Sequence, residues 1–171
     1  VFYMEKLVSS AEAIGVIDLG QSLGDNIREL AKAKKKSVSD IKVAILDRPR
    51  HAEAIDEIRA AGAHTRLILD GDVAAGINAA RDDSRIDLCY GTGGSPEGVA
   101  VTCAIKALGG FIQGRLAPGT DEEKAKGAAA GLKFDYVYSA DELVQSDNTF
   151  FVATGVTDGE MLRGVRHEGN W

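Results

Sequence analysis

The 171-residue chain is poor in cysteine, with two residues, Cys89 and Cys103, that are not spaced as a CxxC pair. A disulfide framework is therefore not expected. The pair is expected as buried free thiols of a reducing, cytoplasmic compartment. There is no basic excess: the net charge is −6, which excludes a general nucleic-acid binder. The one basic cluster, Lys34-Lys35-Lys36, closes a predicted helix, where cations suit the negative end of the dipole. No apolar run is long enough to cross a bilayer, and Val1 to Lys6 shows no signal-peptide pattern. There is no initiator Met either, so the chain is expected to begin inside a longer polypeptide. Internal repeats, low-complexity segments and long linkers are also lacking. With 44% apolar and 27% charged residues, the remainder reads as one soluble domain with a real core.

Apolar strand-like runs alternate with helix-like runs. Strands are predicted at 13–19, 41–46, 65–69, 87–90, 111–116 and 149–154, with a last short strand after the turn Thr157-Asp158-Gly159. Helices are predicted at 22–35, 51–61, 73–80, 96–108 and 121–130. In the first helix Leu23, Ile27, Leu30 and Ala31 share one face. This alternation predicts an α/β fold with a largely parallel sheet.

The segment Gly91-Thr92-Gly93-Gly94-Ser95-Pro96-Glu97-Gly98 lies between a predicted strand and a predicted helix. Glycines allow a tight turn and a close approach to a ligand. Pro96 suits the first helical position, which puts Glu97 in the first turn. Free backbone donors there attract anions, and a carboxylate there can hold a divalent metal. The segment has neither the Lys-Ser/Thr ending of a P-loop nor the spacing of the dinucleotide fingerprint. Alone, it could equally be a tight turn with a surface Glu.

In parallel α/β sheets the loops after the carboxyl ends of strands share one rim, where ligands bind. Two more such loops carry unusual residues. Asp47-Arg48-Pro49-Arg50-His51 offers two guanidinium forks that match phosphate geometry, around a proline that restrains the backbone. His51 reads as a helix-start residue. Asp70-Gly71-Asp72 offers carboxylates that could accept sugar hydroxyls, bind a cation or cap a helix. Cationic forks, hydroxyl acceptors and a metal-capable Glu together fit a phosphorylated sugar with a divalent cation. No second acidic cluster completes a metal site.

Six segments, in order along nearly the whole chain, carry a resemblance. They are Tyr3-Met4-Glu5-Lys6, Leu46 to His51, Asp70-Gly71-Asp72-Val73, Gly93 to Gly98, Gln113-Gly114-Arg115-Leu116 and Ala153 to Gly159. With them the chain resembles the class II (GlpX-type) fructose-1,6-bisphosphatases. It is most similar to the cyanobacterial members that also hydrolyse sedoheptulose 1,7-bisphosphate. The resemblance implies the layered α/β sugar-phosphatase fold of the inositol monophosphatase-like superfamily, of which this chain would be the second half. It implies substrate contacts at Tyr3, Arg48, Pro49, Arg50, Asp70, Gly71, Asp72 and Gly94, and a metal ligand at Glu97. The metal would be Mg²⁺ or Mn²⁺. No catalytic residue is assigned to this chain, because the other acidic ligands and the water-positioning groups belong to the family's preceding half. A cytoplasmic homotetramer is further implied, with possible inhibition by AMP and no nucleic-acid or membrane partner.

Two other functions compete with the enzyme. A sugar-phosphate sensor would keep the arginine loop and Asp70-Gly71-Asp72 but has no use for Glu97 beside a phosphate. A structural, oligomer-forming domain would leave three decorated rim loops unexplained.

Overall fold

The computed structural model describes residues 2–167 and 169. Its centre is a six-stranded sheet of order β3-β2-β4-β1-β5-β6. The strands are β1 (Tyr3–Ser9), β2 (Lys42–Leu46), β3 (His64–Ile68), β4 (Leu88–Gly94), β5 (Phe111–Ala117) and β6 (Tyr138–Ser139). The helices are α1 (Leu23–Ala33), α2 (Ala52–Ala60), α3 (Asp72–Ala79), α4 (Ser95–Leu108), α5 (Asp121–Ala129) and the short α6 (Ala140–Leu143).

Strand periodicity divides the apolar residues between two layers. Leu7, Val43, Ile45, Leu88 and Phe111 face one side, where they meet Leu23, Ile27 and Leu30 of α1 and Ile55 and Ile58 of α2. Val8, Ala44, Cys89 and Ile112 face the other, against Ala75 and Ile77 of α3 and Val101 and Ile105 of α4. Ile27 is fully buried, so removing most of its side chain is expected to cost about 2–5 kcal/mol. Helix α1 starts where predicted, with the Ser22 hydroxyl accepting from the Asp25 N–H at 3.1 Å.

The sheet is mixed, not largely parallel. β2 runs parallel to β3 and β4, but β1 is antiparallel to both β4 and β5, and β6 is antiparallel to β5. The difference comes from β1, which enters the centre of the sheet antiparallel to both neighbours. Its sequence places Glu5 and Lys6 in the middle of a central strand, which breaks the apolar pattern of a buried strand. The predicted strand 13–19 is instead the end of a 3-10 turn at Ala11–Ala13 and an irregular stretch. Gly15 turns the chain there at φ +72°, while Ile17 and Leu19 still reach the core. The predicted strands at 149–154 and after Gly159 are irregular among the described residues. That stretch lies on the α3/α4 side of the sheet and anchors through Phe151 and Met161.

The lysine run also differs. α1 ends at Ala33, and Lys35 turns the chain at φ +54°. Lys34 and Lys36 reach Glu12 and Asp87 as well as closing a helix.

Candidate active site

Because β2, β3 and β4 are parallel, their carboxyl ends open on one edge of the sheet. β1 begins at that same edge, with Tyr3 opposite Gly94 and Ala117. Tyr3, Arg48, Pro49, Arg50, Asp70, Gly71, Asp72, Gly94 and Glu97 therefore all fall on the rim expected from the sequence.

Side-chain contacts tie the rim loops to one another and to β1. Arg48 links the first two: its Nη2 donates to the Leu69 carbonyl at 2.7 Å and its Nη1 to the Asp47 carbonyl at 3.0 Å. Arg50 links the first to the third: its Nε donates to the Thr92 carbonyl at 3.0 Å. The guanidinium carbon of Arg50 lies 5.4 Å from the centre of the Tyr3 ring, a cation–π distance. Each guanidinium has five N–H donors, so both forks keep most of theirs for an anion. Pro49 opens the 3-10 turn that sets Arg48 and Arg50 apart.

Asp72 and Gly93 link the second loop to the third. Asp72 opens α3, and its Oδ2 accepts from Lys6 Nζ at 2.7 Å. Lys6 is only 7% exposed and Asp72 is half-buried, so the pair has a buried ammonium and a carboxylate that water still reaches. A Cβ at Gly93 would lie 2.6 Å from that Asp72 oxygen and 3.1 Å from Lys6 Nζ, so a larger residue there would have to displace the ion pair. Gly71 stands ahead of α3 at φ +83°, a left-handed conformation that favours glycine. Asp70 is exposed and accepts from the Gly71 N–H at 2.8 Å. Its other carboxylate oxygen has no hydrogen bond among the described contacts.

The glycine segment is not a loop throughout. β4 continues to Gly94, paired with β1, and α4 follows directly. Glu97 is exposed in the first turn of α4. Its carboxylate folds back over Gly94, where a Cβ would collide with Oε2. Among the described residues no group of three or more His, Cys, Asp or Glu side chains could hold a metal ion. Glu97 can thus supply one oxygen ligand but not a closed site, and Asp72 is already committed to Lys6.

His51 is the residue the sequence undervalued. It is 2% exposed and sits between the arginine loop and β4. Its Nδ1 is 2.9 Å from the Leu46 carbonyl, and its Nε2 is 2.9 Å from the Thr92 N–H. Burial, then the positive charges of Arg50 and Arg48, hold its pKa below the usual histidine value. Position within a D-R-P-R-H run gave no signal for this role, since helix starts commonly carry polar residues.

Two other features lie away from the rim contacts. On the α1/α2 side of the sheet, Glu5 accepts from the Tyr90 hydroxyl at 2.5 Å and from Arg115 Nε and Nη2 at 2.9 and 2.6 Å. Burial, then the Glu5 carboxylate, pushes the Tyr90 phenol well above its ordinary range. Cys89 is buried and its thiol is pushed up to about 12, mainly by burial. It is a core residue, as expected, whereas Cys103 is free but only half-buried, because it lies on a less covered face of α4.

The fold and its rim define a mixed α/β domain with two anion-ready guanidiniums and an exposed acid at a helix start. The chain belongs to the family of bacterial, glpX-encoded fructose-1,6-bisphosphatases, whose family model matches residues 1–171. It is similar to the class 2 fructose-1,6-bisphosphatase of Haemophilus influenzae, 42% identical over 181 aligned positions covering 98% of this chain. It is also similar to fructose-1,6-bisphosphatase 1 class 2 of Escherichia coli K12, 40% identical over the same share. The chain spans about half the length of these relatives, 54% in each case. No helix among the described residues is long and apolar enough to cross a membrane.

Proposed function

We propose that this chain is the substrate-gripping half of a metal-dependent sugar bisphosphatase. The enzyme would hydrolyse the 1-phosphate of fructose 1,6-bisphosphate and also act on sedoheptulose 1,7-bisphosphate. The observation that carries this is the braced rim. Arg48 and Arg50 share one sheet edge with Asp70 and Glu97; Arg48 holds the loop before Asp70, Arg50 holds β4 at Thr92, and Asp72 ties the second loop to β1 through Lys6, a set of groups suited to a phosphate and a sugar.

Each residue has a separate task. Arg48 and Arg50 hold a phosphate with their remaining N–H donors. The Tyr3 ring limits where the Arg50 guanidinium can lie. Asp70 offers a free carboxylate oxygen to a sugar hydroxyl. Gly71 and Gly94 let the backbone come close to the ligand. Asp72 keeps the second loop against β4 through Lys6. A bound Mg²⁺ or Mn²⁺ would polarise the phosphate ester and lower the pKa of an attacking water. Glu97 fits such an ion as one hard oxygen donor, and the further ligands would come from the family's other half. The same resemblance supports inositol monophosphatase-like layering in the whole protein, a cytoplasmic homotetramer and sensitivity to AMP.

The test is phosphate release from fructose 1,6-bisphosphate with Mg²⁺ or Mn²⁺. The chain is assayed alone and joined to the amino-terminal half of a class 2 relative. Activity only in the joined protein supports the division of labour. Tight sugar-bisphosphate binding with no turnover in either form would make this a sensor instead.

A further inference from the structure

We propose that His51 is a positioning residue of this site: as a neutral, Nδ1-protonated imidazole it holds Thr92, and with it the glycine end of β4, against the arginine loop. The geometry comes from a mismatch in strand length. β2 pairs with β4 only at Val43–Leu88 and Ala44–Cys89, yet β4 runs on to Gly94. Past Cys89 that edge of β4 has no ladder partner, and β2 itself ends at Leu46, short of Thr92 in the shared register. The N–H and C=O of one strand residue point to the same side, so Thr92 turns both toward the vacated position.

Two side chains of the arginine loop occupy that position. The Thr92 N–H donates to His51 Nε2 at 2.9 Å, and the Thr92 carbonyl accepts from Arg50 Nε at 3.0 Å. Together they replace the missing strand. An amide N–H can only donate, so Nε2 carries the lone pair. The Leu46 carbonyl, 2.9 Å from Nδ1, can only accept, so Nδ1 carries the proton. The partners themselves therefore set the tautomer. Gly91 completes the fit: a Cβ there would lie 3.2 Å from Cε1 and 3.3 Å from Nε2 of the ring.

Protonation of Nε2 would set a donor against the Thr92 donor. The charged groups acting on the ring are Arg50 and Arg48 of its own loop, and both oppose a positive imidazole. From β4 the ring meets Gly91 and the Thr92 backbone, and from β2 the Leu46 carbonyl. Losing this contact would free the outer edge of the strand end that leads to Gly94 and Glu97, while its ladder with β1 and the sheet core stay in place.

The consequence for ligand binding rests on the proposed function; the contact itself does not. Two isosteres separate the two ring nitrogens. In H51Q the side-chain oxygen can reach the Nε2 position and accept from Thr92. In H51N the amide can replace only Nδ1. Amide hydrogen exchange by NMR is the first measurement. Thr92 exchange should be about five- to tenfold faster in H51N than in wild type, the effect of one hydrogen bond. It should be near wild type in H51Q, and the β1–β5 ladder should be unchanged in both. Ring ¹⁵N spectra of the wild type should show protonated Nδ1 and bare Nε2 at neutral pH. As pH falls below the usual histidine range, Thr92 protection, corrected for intrinsic exchange, should drop in wild type but not in H51Q.

Affinity for fructose 1,6-bisphosphate should weaken by a similar factor in H51N and recover in H51Q. A protonated Nε2 at neutral pH would overturn the proposal, as would unchanged Thr92 exchange in H51N. If H51N does not fold, the wild-type ring spectra and the H51Q pH series decide it. If wild type binds no sugar bisphosphate while the exchange pattern holds, the proposed function fails and the role of His51 in placing β4 stands.

Discussion

Removing the carboxylate of Asp72 should expose how the rim is held to the sheet. Lys6 sits in the middle of a central strand, with its side chain 9% exposed and its Nζ 2.7 Å from Asp72 Oδ2. Asp72 is its one hydrogen-bond partner among the described contacts. Asp72→Ala would leave the ammonium buried without a counter-charge, which costs about 3–5 kcal/mol for a fully buried pair. The Asp72 side chain is 24% exposed, so water can partly replace it, and about 2–3 kcal/mol is expected. Lys6→Met keeps most of the stem's packing and leaves Asp72 able to turn to solvent, so its cost should be about 1 kcal/mol or less. The double variant should be more stable than Asp72→Ala alone, with a coupling of about 1–2 kcal/mol. Urea unfolding with equal m-values across the four proteins measures this cycle. A loss below about 1 kcal/mol in Asp72→Ala would refute the reasoning. So would additive losses in the double variant, because either result means that the buried ammonium does not depend on this carboxylate.

The other predictions concern the ligand. Arg48→Ala or Arg50→Ala should weaken sugar-bisphosphate binding by about 1.5–3 kcal/mol in calorimetry, with poor rescue by Lys, which has no planar fork. Normal affinity in both Ala variants would remove the arginine loop from the site. Asp70→Asn should raise the Michaelis constant in the joined two-half protein more than it lowers the melting temperature; the opposite pattern would make Asp70 a cap only. Glu97→Gln should abolish most turnover there and leave circular dichroism unchanged, whereas metal binding by the isolated chain should be weak. Stability should also depend on His51. Above about pH 6.5 the imidazole is neutral in both folded and unfolded states. As pH falls from there to the lower folded-state value, the unfolded chain takes up a proton that the folded one refuses, so stability declines across that window. A melting-temperature series should show this slope in wild type and lose it in H51Q.

Much of the rim was legible before the structure. The runs 41–46 and 65–69 are short apolar strands followed at once by charged or glycine-rich residues, and they lie within a residue or two of β2 and β3. Pro96 and Glu97 open α4 as expected. These are local signals: side-chain period, helix-start chemistry and glycine in turns each act over a few residues. The predicted strands at 13–19 and 149–154 show the limit of the same signals. Ile17 is buried, but apolar content alone does not distinguish a strand from an irregular segment that covers a core.

By itself, the sequence determined the alternation of β2, α2, β3, α3, β4 and α4, and thus which loops share an edge. It also carried the chemistry of that edge, because the planar guanidinium forks of Arg48 and Arg50 and the carboxyl groups of Asp70 and Glu97 are set by residue type. The tertiary structure alone decided β1. A strand with Glu5 and Lys6 at its centre is unfavourable until Arg115, Tyr90 and Asp72 arrive from residues far along the chain. It alone decided His51 as well, because the edge of β4 that the imidazole fills exists only where β2 ends short of it. Both depend on pairing polar groups distant in sequence, and burial makes those pairings obligatory only once the sheet has formed.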